Sequence, residues 1–310
     1  MGSIRGDYRG LFPDAAAPSN RRRFMFEGNL DINVESLWKF VRTYDYVAGD
    51  FMWTGIDYLG EAFWPMKSSF AGVIDTCGFK KDGFYFYQSQ WTEKPMLHFS
   101  PHWNWKGKEG KLIPVTCYTN CDTVELFLNG KSLGVKGYEF PRAGMEGTWG
   151  NLPARARALK TTSDLHLAWD VPFEPGTLKA VAIKDGKVAA TAEVATTGEP
   201  AIVSVSVDRN TIRRDRRDVA HVTVDIRDAE GIIVPTSNNQ ITFEVLGEGR
   251  LIGVDNGDPF SHEDYKSNKR NTFNGLCLAI IQSTARAGNI SVTASSPGLR
   301  TGTVTIVAST

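Results

Sequence analysis

Two small groups of residues have the types and spacing that could bind a metal ion. His98 and His102 lie four residues apart, which on a strand places both imidazoles on one face. The segment Asp255–Asp258, with the sequence Asp-Asn-Gly-Asp, resembles half of a calcium-binding loop. No third ligand accompanies the histidines, and the loop lacks the alternating oxygen ligands and terminal Glu of a calcium site. We therefore predict core or loop histidines at 98 and 102 and a tight turn at 255–258.

The bulk composition narrows the classes of function. The chain has 310 residues, of which 41% are hydrophobic and 23% charged, and Lys+Arg and Asp+Glu both number 35. This balance gives no net field to attract nucleic acid or an anionic membrane, so neither is a predicted partner. The four cysteines are too few and too scattered for a disulfide framework. Six of the eight Trp lie in the first 105 residues, an asymmetry that needs a cause.

The first thirty residues contain no apolar signal segment, and no stretch has the length of a transmembrane helix. The location of the parent protein therefore stays open, and a periplasmic or extracellular location is compatible with the sequence.

Residues 34–91 have the alternation of an α/β structure. Val34–Val41 has helical spacing, with Asn33 at the N-cap, and predicts a helix that ends near Asp45. Tyr46–Thr54 is a short and mostly apolar run, which is typical of a parallel strand buried on both faces. We predict that Lys81–Trp91 is a helix covering this strand.

After residue 92 the hydrophobic period changes to two, which indicates antiparallel β-structure. Val124–Val135 predicts two strands around an Asn129-Gly130 turn, and Thr177–Val194 repeats the pattern around Asp185-Gly186. Between them, Gly137–Asp164 has no clear period and is predicted to be a surface excursion.

A second boundary falls at 197–200, after which short strands resemble an immunoglobulin-type sandwich without its Cys…Trp…Cys signature. The strands predicted there are Ile202–Val207, Val219–Ile226, Ile241–Leu246, Leu276–Gln282 and Ile290–Ala294. We thus expect three regions, at 1–92, 93–198 and 199–310. A (β/α)₈ barrel needs roughly 250 residues, so the first region is predicted to be incomplete and to be completed by an upstream segment or another chain.

Several motifs occur in the order found in one enzyme family. Gly49–Glu61 resembles the last barrel strand and following loop of family 2 glycoside hydrolases, the β-galactosidase group. Later parts of that family are resembled by Ser68–Asp75 with Gly78–Asp82, by Pro101–Trp105, by Tyr118–Asn120 with Val124–Gly130, and by Asp255–Asp258 with Arg270–Leu276. The resemblance covers nearly the whole chain.

The resemblance implies a retaining glycosidase with two catalytic glutamates, an acid/base in an Asn-Glu pair and a nucleophile on the seventh barrel strand. Retention requires their carboxyl groups about 5–5.5 Å apart. This chain contains no Asn-Glu pair, and its first strand-like segment resembles the eighth strand. Ser3–Gly6 is similar to the stretch shortly after the nucleophile strand. Both catalytic glutamates are therefore expected to be absent, and the isolated chain is predicted to be inactive.

The resemblance also implies four substrate-binding residues at the end of the eighth strand. Trp53 corresponds to the tryptophan that forms a wall for the terminal sugar, with a packed core Trp as the alternative. Asp57 and Glu61 are placed to accept hydrogen bonds from sugar hydroxyls, with a turn-stabilising Asp and a solvated Glu as the alternatives. Trp64 flanks the cleft, where Ala62-Phe63-Trp64 replaces the usual family residues.

The predicted fold is mostly β: two immunoglobulin-like sandwiches after the C-terminal end of a TIM barrel. The predicted function is the C-terminal part of a β-galactosidase-like glycoside hydrolase, with a carbohydrate substrate and an upstream barrel segment as partners. The alternative is a non-catalytic module that binds carbohydrate or braces a neighbouring domain. No cofactor, sugar or oligomeric state is assigned.

Overall fold

The computed structural model describes residues 44–62, 64–137 and 165–310, together with Trp38, Val41, Arg42 and two short strands at 146–148 and 157–159. These residues divide into two compact units. The first holds Asp82–Val194 with the described residues up to Trp53, and the second holds Thr54–Lys81 and Ala195–Thr310. Both units are mostly β, with their sheets in sandwich-like arrangements. Among the described residues, no helix has the length and hydropathy that a membrane span requires.

The predicted strand at 46–54 is wrong. These residues have no strand conformation, and the side chains of Phe51 and Trp53 are 101% and 73% exposed. A parallel strand is stable only when neighbouring strands satisfy both of its edges, and the described residues place no strand beside this one. The predicted helix before it lies outside the described residues except for Trp38, Val41 and Arg42, which are helical.

Residues 54–81 form a small structure of their own within the second unit. Strand β1 (Tyr58–Leu59) pairs antiparallel with β2 (Ser68–Ser69). Backbone hydrogen bonds run from the amide of Asp57 to the carbonyl of Ile74 (2.8 Å) and from the amide of Ile74 to the carbonyl of Gly55 (3.1 Å). The segment is therefore folded back on itself by backbone pairing.

Helix α1 (Asp82–Trp91) confirms the helix predicted there, with Asp82 in its first turn, where a negative charge opposes the helix dipole. It packs on the antiparallel strands β3 (Leu97–Ser100) and β4 (Leu112–Thr119), not on a parallel strand. Phe86 is buried and lies edge-on to Tyr118 of β4, with ring centroids 5.8 Å apart.

The first unit contains two main sheets, of strand order β3-β4-β9 and β11-β10-β5-β6. The remaining strands of the unit are β5 (Thr123–Leu128), β6 (Lys131–Gly137), β7 (Glu146–Thr148), β8 (Arg157–Leu159), β9 (Leu167–Pro172), β10 (Thr177–Lys184) and β11 (Lys187–Ala195). Burial alternates along β5 and β9, so one face of each sheet meets the common core. The predicted excursion after β6 lies outside the described residues, apart from the paired strands β7 and β8.

Both predicted hairpins of this unit are confirmed. Asn129 and Gly130 connect β5 to β6 with φ of 50° and 79°, and Asp185 and Gly186 connect β10 to β11 with φ of 52° and 73°. Two successive positive φ values match the twist of antiparallel strands, and Asn-Gly and Asp-Gly adopt them more readily than other pairs. Local turn chemistry therefore accounts for the position of both turns.

The second unit contains a four-stranded sheet, β12-β14-β18-β16, and a five-stranded sheet, β13-β20-β19-β15-β17. Its strands are β12 (Ile202–Val207), β13 (Thr211–Arg213), β14 (Val219–Arg227), β15 (Gln240–Gly247), β16 (Gly249–Asp255), β17 (Lys269–Asn271), β18 (Leu276–Ser283), β19 (Gly288–Ser295) and β20 (Gly302–Ser309). Apolar side chains from both sheets form one core, in which Ile226, Ile241 and Ile290 have no exposed surface.

All five strands predicted in this part of the chain are present, and four more were not predicted. Strands β13 and β17 have only three residues each, too few to show a period. Strand β16 contains two glycines, and β20 is held in the sheet by β19 and a parallel pairing with β13. These four segments are strands because they pair with neighbouring strands, more than because of their amino-acid composition.

Candidate functional site

The four sequence-predicted site residues lie at the start of the described chain, three of them in one unit. Asp57, Glu61 and Trp64 belong to the second unit. Trp53 belongs to the first unit, and the second unit begins at the next residue, Thr54. Trp53 is 73% exposed in an irregular stretch, so the packed core position that was the alternative does not describe it.

Asp57 is buried, and its carboxylate is engaged within the protein. Lys81 Nζ donates to both carboxylate oxygens at 2.7 and 2.9 Å, and the amide of Gly72 donates to Oδ1 at 2.8 Å. Burial raises the pKa of Asp57 above its ordinary value, and the Lys81 ammonium offsets part of that rise. This geometry matches the turn-stabilising alternative, and a sugar hydroxyl would have to compete with Lys81 for the same oxygens.

Lys81 and Gly72 are structural partners that the sequence analysis did not single out. Lys81 also donates to the carbonyl of Phe70 at 3.0 Å, so one ammonium ties three points of residues 54–81 together. A Cβ at Gly72 would lie 2.3 Å from the amide nitrogen of Asp57, so only glycine fits beneath this carboxylate. The Asp-Lys pair holds the loop in which Glu61 and Trp64 lie.

Glu61 lies on the surface next to β1. Its φ of 44° is in the left-handed region, and its carboxylate accepts a hydrogen bond from the Tyr58 hydroxyl. The side chain is exposed, so the carboxylate retains access to solvent and to a sugar hydroxyl. Both alternatives for Glu61, sugar contact and solvated carboxylate, fit this position.

Trp64 is the most exposed tryptophan of the described residues, at 82%. Its ring centroid lies 5.2 Å from that of His262, at an interplanar angle of 41°. His262 Nε2 is 2.8 Å from the carbonyl oxygen of Pro65, the residue after Trp64. Because a carbonyl only accepts, this nitrogen carries the proton, which makes Nδ1 an acceptor in the neutral ring. The contact joins residues about two hundred positions apart, which no local pattern predicts.

Lys67 anchors the same loop to residues 259–265 of the terminal sandwich. Its amide donates to the carbonyl of Pro259 at 2.7 Å, and its ammonium donates to the carbonyl of Glu263 at 3.0 Å. The ammonium also lies 3.7 Å from the centroid of the Tyr265 ring, a cation–π contact.

A buried arginine supports residues 255–265 from beneath. Arg270 on β17 has no exposed surface, and its Nη2 donates to Asp255 Oδ1 at 2.8 Å and to Asn256 Oδ1 at 2.9 Å. Its Nη1 donates to the carbonyl of Glu263 at 3.2 Å. Asp255 also accepts from the Thr76 hydroxyl at 2.6 Å, which brings residues 54–81 into the same network.

The predicted tight turn at 255–258 is confirmed by this network. The Asn256 side chain accepts from the amide of Asp258 at 3.0 Å, and Gly257 has a φ of 73°. The carboxylate of Asp255 pairs with Arg270, which gives this segment a structural role.

The two histidines with metal-ligand spacing are both packed in the first unit. His98 is buried, stacks on Tyr85 with centroids 3.6 Å apart, and lies 3.0 Å from the carboxylate of Asp82. His102 stacks on Trp105, and burial lowers its pKa to about 4. His102 is thus a neutral, stacked ring, and both residues are the packed histidines that the sequence predicted. No group of metal-ligating side chains occurs among the residues that the structure describes.

Comparisons with known proteins identify relatives over most of the chain. Residues 203–305 match the family described as glycoside hydrolase family 2 C-terminal domain 5, and residues 110–190 match a domain of unknown function, DUF4982. The β-galactosidase BoGH2A of Bacteroides ovatus is 43% identical over 270 residues, which cover 86% of this chain and 29% of that protein.

Solved structures show the same relationship. A β-glycosidase from Bacteroides vulgatus superposes with a TM-score of 0.78 and 35% identity, over 89% of this chain and 33% of that one. A glycosyl hydrolase family 2 member from Bacteroides cellulosilyticus gives a TM-score of 0.76 and 28% identity, over 88% of this chain and 37% of that one. The chain therefore spans about a third of the length of these relatives.

Proposed function

We propose that this chain, which belongs to glycoside hydrolase family 2, is the C-terminal part of a retaining enzyme that hydrolyses terminal β-glycosidic bonds in carbohydrates. The B. ovatus relative is named a β-galactosidase, and a β-galactoside is the first substrate to test. The observation that carries the proposal is the exposure of Trp64 and Glu61, which places one indole and one carboxylate at the protein surface. Uncharged sugars are bound by aromatic faces and hydrogen bonds, which agrees with the zero net charge of the chain.

In the proposed architecture, residues 1–92 are the C-terminal end of the catalytic barrel, and 93–198 and 199–310 are immunoglobulin-like sandwiches. Barrel enzymes build their active sites at the C-terminal ends of the strands, where residues 53–64 would then lie. Trp53 would form one wall of the terminal-sugar subsite, and Glu61 would accept a hydrogen bond from a hydroxyl. Asp57 would not contact the sugar itself but would hold the loop in place through its ion pair with Lys81.

Catalysis in this proposal depends on two glutamates supplied by an upstream barrel segment. The gene sequence immediately upstream of Ser3 tests this directly, because a strand ending in Glu is expected there. The product of the complete gene should release nitrophenol from a nitrophenyl β-glycoside, with the β-galactoside tested first. The purified 310-residue chain should release none. Turnover by the chain alone, after removal of host glycosidases, would refute the assignment of the catalytic glutamates.

A second candidate function is carbohydrate binding without catalysis. A surface recess of about 500 Å³ lies on the sheet β11-β10-β5-β6 of the first unit and is lined in part by Phe127, Lys179 and Glu193. An aromatic ring flanked by charged side chains suits one face of a sugar. Affinity electrophoresis of the chain in polysaccharide gels distinguishes this function, since Phe127→Ala should abolish any retardation that arises at the recess.

A further inference from the structure

Trp64 is exposed, although the loop that carries it is hydrogen-bonded to the terminal sandwich. The indole is 82% exposed, while the backbone around it is fixed by bonds at Pro65 and Lys67. An indole that is exposed to this extent contributes little hydrophobic stabilisation to folding. Binding, in contrast, costs less when an aromatic surface is already in place. The loop is therefore built like a preorganised binding surface.

The support comes from the terminal sandwich, which also adds a second ring. His262 lies 5.2 Å from Trp64, and its Nε2 proton is used by Pro65, so Nδ1 can accept a hydrogen bond. Residues 255–265 that carry this ring are held from below by the fully buried Arg270. The two rings thus form one surface with an apolar face and a hydrogen-bond acceptor at its edge.

We propose that Trp64 and His262 form a stacking platform for a pyranose ring of the substrate, so that the terminal sandwich takes part in substrate recognition. This inference rests on the proposed function. A pyranose has a face of C–H groups that packs on an aromatic ring and a rim of hydroxyls that donates to an acceptor such as Nδ1. An active site must surround the terminal sugar whose glycosidic bond is cleaved. A platform that covers only one face of a sugar suits instead the sugar on the leaving-group side of that bond. The platform would therefore discriminate among leaving-group sugars.

The test observes Trp64 directly in the 310-residue chain. With ¹⁵N-labelled tryptophan, the indole N–H signal of Trp64 is assigned by its loss in Trp64→Phe, and the chain is titrated with lactose and cellobiose. The Trp64 signal should shift with half-saturation between about 1 and 50 mM, the range of a weak single-ring contact. Mannitol, an acyclic polyol with hydroxyls but no ring face, should leave it in place. The indole of Trp91, also exposed, serves as the internal control and should not move.

Two variants separate the ring of His262 from its hydrogen bond. His262→Ala, which loses both the ring and the acceptor, should raise the half-saturation concentration by about threefold, while His262→Phe, which keeps a ring but loses the Nδ1 acceptor, should raise it less. The proposal is overturned if Trp64 does not respond at about 100 mM disaccharide, if mannitol or Trp91 gives an equal shift, or if His262→Ala binds as wild type does. Because binding is measured without hydrolysis, these failures are distinct from a failure of the complete gene product to cleave glycosides.

Discussion

The terminal sandwich and the stretch at 44–64 treat their large apolar side chains in opposite ways. In the sandwich, Ile226, Ile241 and Ile290 are fully buried between two sheets. In the stretch, Phe51, Trp53 and Trp64 are 101%, 73% and 82% exposed. The two complete sheets of the sandwich bury their apolar side chains against each other, whereas these three side chains of the stretch lie at the surface. Residues 65–81 lie between these extremes, because buried ionic and backbone contacts hold them.

The largest contrast is expected between two phenylalanines of the first unit. Phe173 has no exposed surface and lies edge-on to the buried Trp103, with centroids 5.4 Å apart. Phe173→Ala should lower the free energy of unfolding by about 3–5 kcal/mol, because it removes buried area and leaves a cavity. Phe51→Ala should change it by less than about 0.5 kcal/mol. Urea denaturation followed by circular dichroism measures both, and a similar loss for Phe51→Ala would mean that residues 44–54 are packed in solution.

The next effect concerns the buried arginine that supports residues 255–265. Arg270→Met should destabilise the second unit by about 3 kcal/mol, because it removes a fully buried cation from the partly buried carboxylates of Asp255 and Glu263. The matched control is Arg250, which is exposed and donates to Gln282 at 2.9 Å. Arg250→Met should have an effect of less than about 0.5 kcal/mol. Thermal unfolding of the two variants compares them, and equal losses would contradict the special role of the buried site.

A smaller effect separates two glycines in residues 54–81. Gly72→Ala should cost about 1–3 kcal/mol, because the added methyl group would lie 2.3 Å from the backbone nitrogen of Asp57. Gly55→Ala is the control, since a Cβ there meets no atom within 4 Å. Hydrogen exchange at the amides of Asp57 and Ile74 should accelerate only in Gly72→Ala. Unchanged protection there would show that the Asp57 loop can shift to accept the methyl group.

The smallest effect is a pH dependence at the Asp57 and Lys81 pair. Burial raises the pKa of Asp57 above the ordinary 3.8, so the folded protein binds the proton of this carboxyl more tightly than the unfolded chain does. The stability linked to this shift is therefore present below pH 3.8 and is lost as the pH rises through the folded pKa. Lys81 limits that loss, because its ammonium lowers the pKa.

Lys81→Met should therefore destabilise the protein by about 1–2 kcal/mol at neutral pH and much less in acid, where protonated Asp57 needs no counter-charge. The exposed Lys187 on β11 provides the control variant, Lys187→Met, which should follow the wild-type pH profile. Denaturant midpoints from acid to neutral pH check both variants. A penalty for Lys81→Met that stays constant with pH would show that packing of the lysine stem, and not its charge, stabilises the loop.

Much of the fold followed from local sequence. The Asn129-Gly130 and Asp185-Gly186 turns fixed two hairpins, and the period of two located five strands of the terminal sandwich. These features depend on neighbours a few residues apart. The strand predicted at 46–54 failed for the opposite reason, since a buried strand exists only when other strands flank it.

The candidate site could be located from the sequence but not assembled from it. The order of motifs placed Trp53, Asp57, Glu61 and Trp64 in one stretch and indicated the enzyme family. Only the tertiary structure shows that Asp57 is bound to Lys81, or that Trp64 lies against His262. Turns and strand periods depend on residues that are adjacent in the sequence. The contacts that hold this loop instead join Lys67 to Glu263 and Thr76 to Asp255. Such contacts depend on how two distant segments pack, so the sequence determined which residues were available and the tertiary structure decided what each of them binds.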